Sequence, residues 1–171
     1  MDSVKFEKYI ELYGRDVYSF CLYMTRNKED AEDLYQQTFL VAFEKNEIDE
    51  GGNPKSYFIT IASNIWNNVK RKRARRELNA GTAYLDDEEV ELLADTGDSV
   101  EDEVISKDEK DKLRRLVSAL PDKYRAVILM YYMEEMSVYD IASALRIPAG
   151  TVKSRMNKAR KILKEKMAYE R

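Results

Sequence analysis

A chain of 171 residues is long enough for one ordinary domain or two small ones. Low Gly and Pro content, with abundant Tyr, Leu, Lys, Arg and Glu, favours helices over sheets. It has no His and one Cys, which argues against a zinc site and rules out an intramolecular disulfide.

No Gly-rich phosphate loop or nucleophile elbow nominates an enzyme, and no metal or cofactor is expected. No apolar run approaches the ~18–20 residues that span a bilayer, and no signal peptide is read. The expectation is a soluble, cytoplasmic, all-α protein with no membrane insertion.

In chain order, the apolar run Phe20-Cys21-Leu22 makes Cys21 a small core hydrophobe. A helix is predicted from near Lys28 over "KEDAEDLYQQTFLVAFEK". One face carries Ala31, Leu34, Tyr35, Thr38, Val41 and Ala42, the expected core side. The other carries Glu32, Asp33, Gln36 and Gln37, together with Phe39, Leu40 and Phe43. A helix apolar on more than one side is either sandwiched or docked on a partner. Burial inside the module is the expectation for the two Phe, which leaves the acids and amides as a protein-docking patch.

The following helix, "NPKSYFITIASNIWNNVKRKRARR", takes Asn53 as cap and Pro54 at its first turn. Phe58, Ala62, Ile65 and Val69 form its expected core stripe, with Trp66 mainly core beside Ile59. The opposite side shows Ser56, Tyr57, Thr60, Ser63, Asn64 and Asn67, then Lys70 and Arg71. Uncharged donors and acceptors ending in a cationic tail suit a nucleic-acid face, and Tyr57 adds a ring for an unstacked base.

Charge is unevenly placed along the chain. Residues 1–76 hold 13 basic and 12 acidic side chains; residues 77–106 hold 11 acids and no Lys or Arg; residues 107–171 hold 16 basic and 9 acidic. The net charge of −3 therefore comes from the middle segment. That segment lacks a sustained helical stripe and reads as a linker, largely unfolded by itself. It is either a solvated spacer or a nucleic-acid mimic that shields basic surfaces or lies in a partner's cationic channel. The flanking modules are near the lower size limit for an independent core.

In the last third, Leu113, Leu116, Val117 and Leu120 follow helical spacing, Pro121 interrupts, and a second helix carries Tyr124, Val127, Ile128 and Tyr131. Ser137 with Asp140 opens a short helix with Ile141, Ala142 and Leu145 on its buried side. Arg146-Ile147-Pro148 breaks it before a strongly basic helix. This is a helix-turn-helix pattern. On the last helix Val152, Met156, Ala159 and Leu163 form the expected core stripe. Gly150, Ser154, Asn157 and Lys161 lie opposite, with Lys153 and Lys158 on the shoulders, a set suited to the major groove.

"DAEDLYQQTFLVAF" resembles the "DAEDLVQETFLRAW" signature of bacterial RNA polymerase sigma factors of the extracytoplasmic-function (ECF) group. "SYFITIASNIWNNVKRKRARR" is similar to that group's promoter-opening helix, and residues 110–168 to its C-terminal helix-turn-helix. The resemblance implies two small helical domains: a region 2-like bundle over 1–76 and a region 4-like domain over 109–171, joined by an acidic linker at 77–108. It implies a non-enzymatic subunit that binds core RNA polymerase and directs it to promoter DNA.

By position, Glu32, Asp33, Gln36 and Gln37 would dock on the polymerase clamp. Tyr57, Thr60, Ser63, Asn64, Asn67, Lys70 and Arg71 would read and open the −10 element. The loop at 46–53 would hold a flipped base. Lys153, Ser154, Asn157, Lys158 and Lys161 would contact the −35 element, with Arg155 and Arg160 nearer phosphates. The linker would thread the polymerase cleft, and an anti-sigma factor is an expected partner. Gln37 stands where the family has Glu, Tyr57-Phe58 where it has Trp-Leu, and Asn68 where Asp is common; Thr60 and Ser63 replace frequent basic residues. The rival is a stand-alone helix-turn-helix regulator, which leaves the 28–76 pattern unexplained.

Overall fold

The structure, a computed structural model, describes residues 2–79 and 107–169. Seven α-helices carry the described chain: α1 (Ser3–Thr25), α2 (Lys28–Lys45), α3 (Pro54–Asn79), α4 (Lys107–Ser118), α5 (Asp122–Ile128), α6 (Val138–Leu145) and α7 (Ala149–Tyr169). No strand occurs among the described residues, so the all-α expectation holds. The acidic linker lies mostly outside the described residues. Its first three positions, 77–79, continue α3, and its last two, 107–108, open α4.

Local chemistry sets the helix ends. Asp2 caps α1 by accepting from the Val4 amide, and Arg26 ends it in the left-handed region at φ 56°. Asn27 at once caps α2 through the Asp30 amide, so two residues reverse the chain and lay α1 against α2. Asn46, also left-handed, ends α2; Asn53 caps α3 through the Ser56 amide, with Pro54 in the first turn. A Cβ at Gly14 would stand 2.8 Å from the Tyr35 hydroxyl, so this glycine permits the close approach of α1 to α2. Rings of Phe6, Phe39 and Phe58 meet edge-on or tilted at 4.8–6.3 Å between centroids, within the favourable range for aromatic pairs. Cys21 is fully buried here, and burial pushes its thiol up to about 12.

In the C-terminal module α7 packs against α4, α5 and α6. Beyond Ile128 the helix widens into a π turn at Leu129–Met133, closed by the Glu134 amide donating to the Leu129 carbonyl. This changes the register: Tyr131 and Tyr132 face outward, whereas Glu134 is buried. Tyr131 was expected among the apolar positions of this helix; the wide turn puts it outside. Ser137 caps α6 through Asp140, and left-handed Arg146 ends it before α7, as the sequence pattern required. The stripe of α7 is Val152, Met156, Ala159 and Ile162. Leu163, expected to complete it, is only half-buried because the partner helices lie on the Ile162 side.

The two modules are in contact. Helix α6 packs on α3, α5 meets α1, and the buried apolar side chains make one contiguous cluster.

Candidate functional site

Three surfaces carry the residues singled out from the sequence. On α2, Glu32, Asp33, Gln36 and Gln37 are all exposed. Phe39 is buried as expected, but Phe43 is 41% exposed, although its ring packs edge-on against Phe6 at 5.1 Å. Leu40 is 58% exposed on the same side. At 100° per residue Glu32, Phe43, Gln36, Leu40, Asp33 and Gln37 fall in one strip. An apolar centre rimmed by acids and amides has the make-up of a protein-docking surface. Leu40 and Phe43 were legible as apolar; only packing showed which ring was left outside.

On α3 the expected nucleic-acid face divides. Tyr57, Thr60, Asn64 and Asn67 are half-exposed and Arg71 is exposed, on the side away from the α1–α2 core. Thr60 also turns its hydroxyl back to the Ser56 carbonyl at 2.7 Å. Burial raises the Tyr57 hydroxyl above the ordinary tyrosine range.

Ser63 and Lys70 lie about a quarter-turn away, on the flank shared with Lys55, Ile59 and Trp66. Ser63 is 1% exposed, and Lys70 pairs with Asp122 of the C-terminal module at 3.0 Å. Ser63 is therefore corrected from an open face to a covered one, because α6 packs on this helix, whereas Lys70 stays half-exposed and is paired with α5. Arg73 lies 5.3 Å from the centre of the Trp66 ring and forks onto Asp30 at 2.8 and 3.1 Å. That hydrogen-bonded fork holds the Asp30 carboxyl below the usual range and ties the basic tail of α3 to the start of α2.

At the loop between α2 and α3, Asp2, Lys5, Tyr9, Asn46, Ile48 and Glu50 line a hollow of about 270 Å³. Lys5 pairs with Glu50 across it. A tyrosine, an apolar side chain, an amide and charges of both signs meet there.

On α7 Lys153 and Ser154 are exposed, and Arg155, Asn157, Lys158, Arg160 and Lys161 are half-exposed. Arg160 is committed within the module. It donates to the Tyr132 hydroxyl at 2.7 Å, approaches the Asn157 amide oxygen at 3.4 Å, and lies over the Tyr131 and Tyr132 rings. The π turn brings those rings there, which residue spacing could not show. A Cβ built at Gly150 would meet nothing within 4 Å, so no neighbour in the chain requires its smallness. No cluster of metal-ligating side chains is present among the described residues, and none of their helices is long and apolar enough to cross a membrane.

The chain matches the family "Sigma-70 region 2" over residues 9–76 and "Sigma-70, region 4" over residues 110–163. Among curated proteins it is similar to the ECF RNA polymerase sigma factors SigW and SigM of Bacillus subtilis (strain 168). Identity to SigW is 29% over 97% of this chain and 90% of that protein; to SigM it is 29% over 90% of each. Its fold is similar to the sigma factor RpoE, solved in complex with the anti-sigma factor NepR from Bartonella quintana. That match has a TM-score of 0.72 at 21% identity, over 98% of this chain and 99% of that one. CnrH, solved in complex with the cytosolic domain of CnrY, gives a TM-score of 0.64 at 17% identity, over 99% and 92%.

Proposed function

The chain belongs to the ECF group of sigma-70 RNA polymerase sigma factors, subunits that direct promoter-specific transcription, and we propose how its surfaces divide that work. The carrying observation is the pair of region matches, in order, on one chain whose two helical modules present different chemistry.

The α2 strip of Glu32, Asp33, Gln36 and Gln37 around Leu40 and Phe43 docks on core polymerase. Side chains of α3, namely Tyr57, Thr60, Asn64, Asn67 and Arg71, joined by Ser63 and Lys70 once uncovered, read and open the −10 element. The hollow beside residues 46–53, walled by Tyr9 and Ile48, takes a flipped base. The exposed start of α7, with Lys153, Ser154, Asn157 and Lys158, enters the major groove at the −35 element; Arg155, Arg160 and Lys161 lie nearer the backbone. Residues 1–76 and 109–171 act as the two working domains. The protein performs no catalysis itself, works in the cytoplasm beside polymerase, and is restrained by an anti-sigma factor of the kind bound by RpoE.

The test mixes the purified chain with core polymerase of its host and a library of host promoter fragments. Promoter-dependent transcripts starting at a common upstream sequence pair are the expected result. No transcripts and no association with core would overturn the assignment of these surfaces.

A further inference from the structure

We propose that Tyr132, which precedes the helix-turn-helix, is a positioning residue for −35 recognition: through Arg160 it fixes the side-chain amide of Asn157, so that Asn157 selects guanine or thymine over adenine or cytosine. This rests on the assignment of α7 to the −35 element and names the base chemistry that one of its side chains takes.

At 100° per residue Lys153, Asn157 and Arg160 fall within about 60° of one another on α7. Arg160 closes this strip on the side of the π turn. There the rings of Tyr131 and Tyr132 meet edge-on, 5.0 Å between centroids. The Arg160 guanidinium carbon lies 5.9 Å from the centre of the first ring and 5.5 Å from that of the second. Its Nε donates to Tyr132 Oη at 2.7 Å, and its Nη1 donates to Asn157 Oδ1 at 3.4 Å. The two rings are 37% and 48% exposed, so what they hold is the guanidinium and not a core.

A guanidinium carries donors only, so the end of the Asn157 amide that faces it must be the oxygen. The NH2 turned that way would set donor against donor. A surface arginine samples many rotamers; the rings and the phenol oxygen restrict Arg160 to the one that reaches Asn157. The amide is thereby oriented, its oxygen drawn toward Arg160 and its NH2 left for the groove.

An unconstrained asparagine pairs bidentately with adenine, accepting from N6 and donating to N7. That pairing needs the oxygen that Arg160 holds. The NH2 that remains requires an acceptor on the base edge. Guanine O6 and thymine O4 supply one, whereas the exocyclic amino groups of adenine and cytosine donate. Adenine N7 accepts too, yet forfeits the second bond.

The experiment selects promoters from a library randomised at the −35 element, using holoenzyme assembled from the full chain and its host's core polymerase. Asn157→Ala identifies the position that Asn157 reads, as the one whose preference it flattens. There the unmodified chain should enrich guanine or thymine over adenine and cytosine by roughly fivefold or more. Tyr132→Phe keeps both rings but removes the acceptor. It should erase most of that preference while the other positions, core association and the thermal midpoint stay unchanged. Arg160→Lys, which keeps the charge without the fork, should relax the same position. In an Asn157→Ala background Tyr132→Phe should change nothing further there.

On the free chain, nuclear magnetic resonance reads the relay without polymerase. Tyr132→Phe should shift the side-chain NH2 signals of Asn157 and speed exchange of the Arg160 Nε proton. An adenine or cytosine preference at the Asn157 position, or no position sensitive to Asn157→Ala, would overturn the proposal. So would a preference that survives both Tyr132→Phe and Arg160→Lys, or Asn157 signals that Tyr132→Phe leaves in place. Holoenzyme that selects no −35 sequence, while Tyr132→Phe still moves those signals, would instead overturn the assignment of α7 and leave the relay standing.

Discussion

At the start of α7, Gly150 faces open space while Lys153, one turn on, is exposed. An alanine at 150 meets no neighbour and narrows only the unfolded ensemble, so Gly150→Ala should stabilise the protein by about 0.4–1 kcal/mol. If the helix enters the groove there, the same change crowds DNA. The expected pairing is a higher melting temperature in calorimetry with weaker −35-dependent transcription. Lys153→Ala should spare polymerase binding. Loss of a phosphate contact would lower the salt slope by about one, whereas loss of a base contact would cost ~1–3 kcal/mol and relax sequence preference. Gel-shift titrations of holoenzyme on promoter DNA at several salt concentrations distinguish them. The outward side of α7 was readable from residue spacing alone. Arg160 was not, because Tyr132, to which it donates, is separated from it by 28 residues.

Among the elements, α2 shows how adjacent side chains on one helix serve opposite ends. Phe39 is 6% exposed within the aromatic cluster, whereas Leu40 next to it is open. Leu40→Ala should weaken association with core polymerase by roughly 1 kcal/mol or more while changing stability by less than about 0.5 kcal/mol. Phe39→Ala should do the reverse, with ~3–5 kcal/mol lost from folding. Denaturant melts beside polymerase binding curves separate the two. Helix α3 makes the complementary point. Its polar side reads as a single surface on a helical wheel, yet the C-terminal module meets the quarter containing Ser63 and Lys70. A wheel reports angle; it does not report which neighbour arrives.

For the molecule as a whole, Glu134 couples stability to pH. Burial pushes its carboxyl up from 4.5 to about 7, outweighing Lys55, with Asp16 adding to the rise. In the unfolded chain the carboxyl takes its ordinary value of 4.5. The folded form thus binds the extra proton: this contribution to stability is full below about 4.5 and is lost as pH rises through about 7. Denaturation midpoints should fall across that window, the folding equilibrium shifting by about tenfold or more, and Glu134→Gln should flatten this component. Asp122 has the opposite sign. Burial raises it, but Lys70 and Arg125 outweigh burial and hold it below the usual range. Its contribution is present above about 3.8 and is lost in stronger acid.

The helices, their caps, the helix-turn-helix and the exposed acid-and-amide strip of α2 follow from the order of residues, because capping, turn conformation and apolar spacing act within a few positions of the chain. Asn27, Asn53 and Ser137 each occupy the cap that their local sequence dictates. The tertiary structure alone decided that Ile162 rather than Leu163 completes the stripe of α7, that the π turn sends Glu134 inward, and that Arg125 is buried against Met24. Those outcomes depend on surfaces brought together from opposite ends of the sequence, and the burial of a side chain is a property of what covers it.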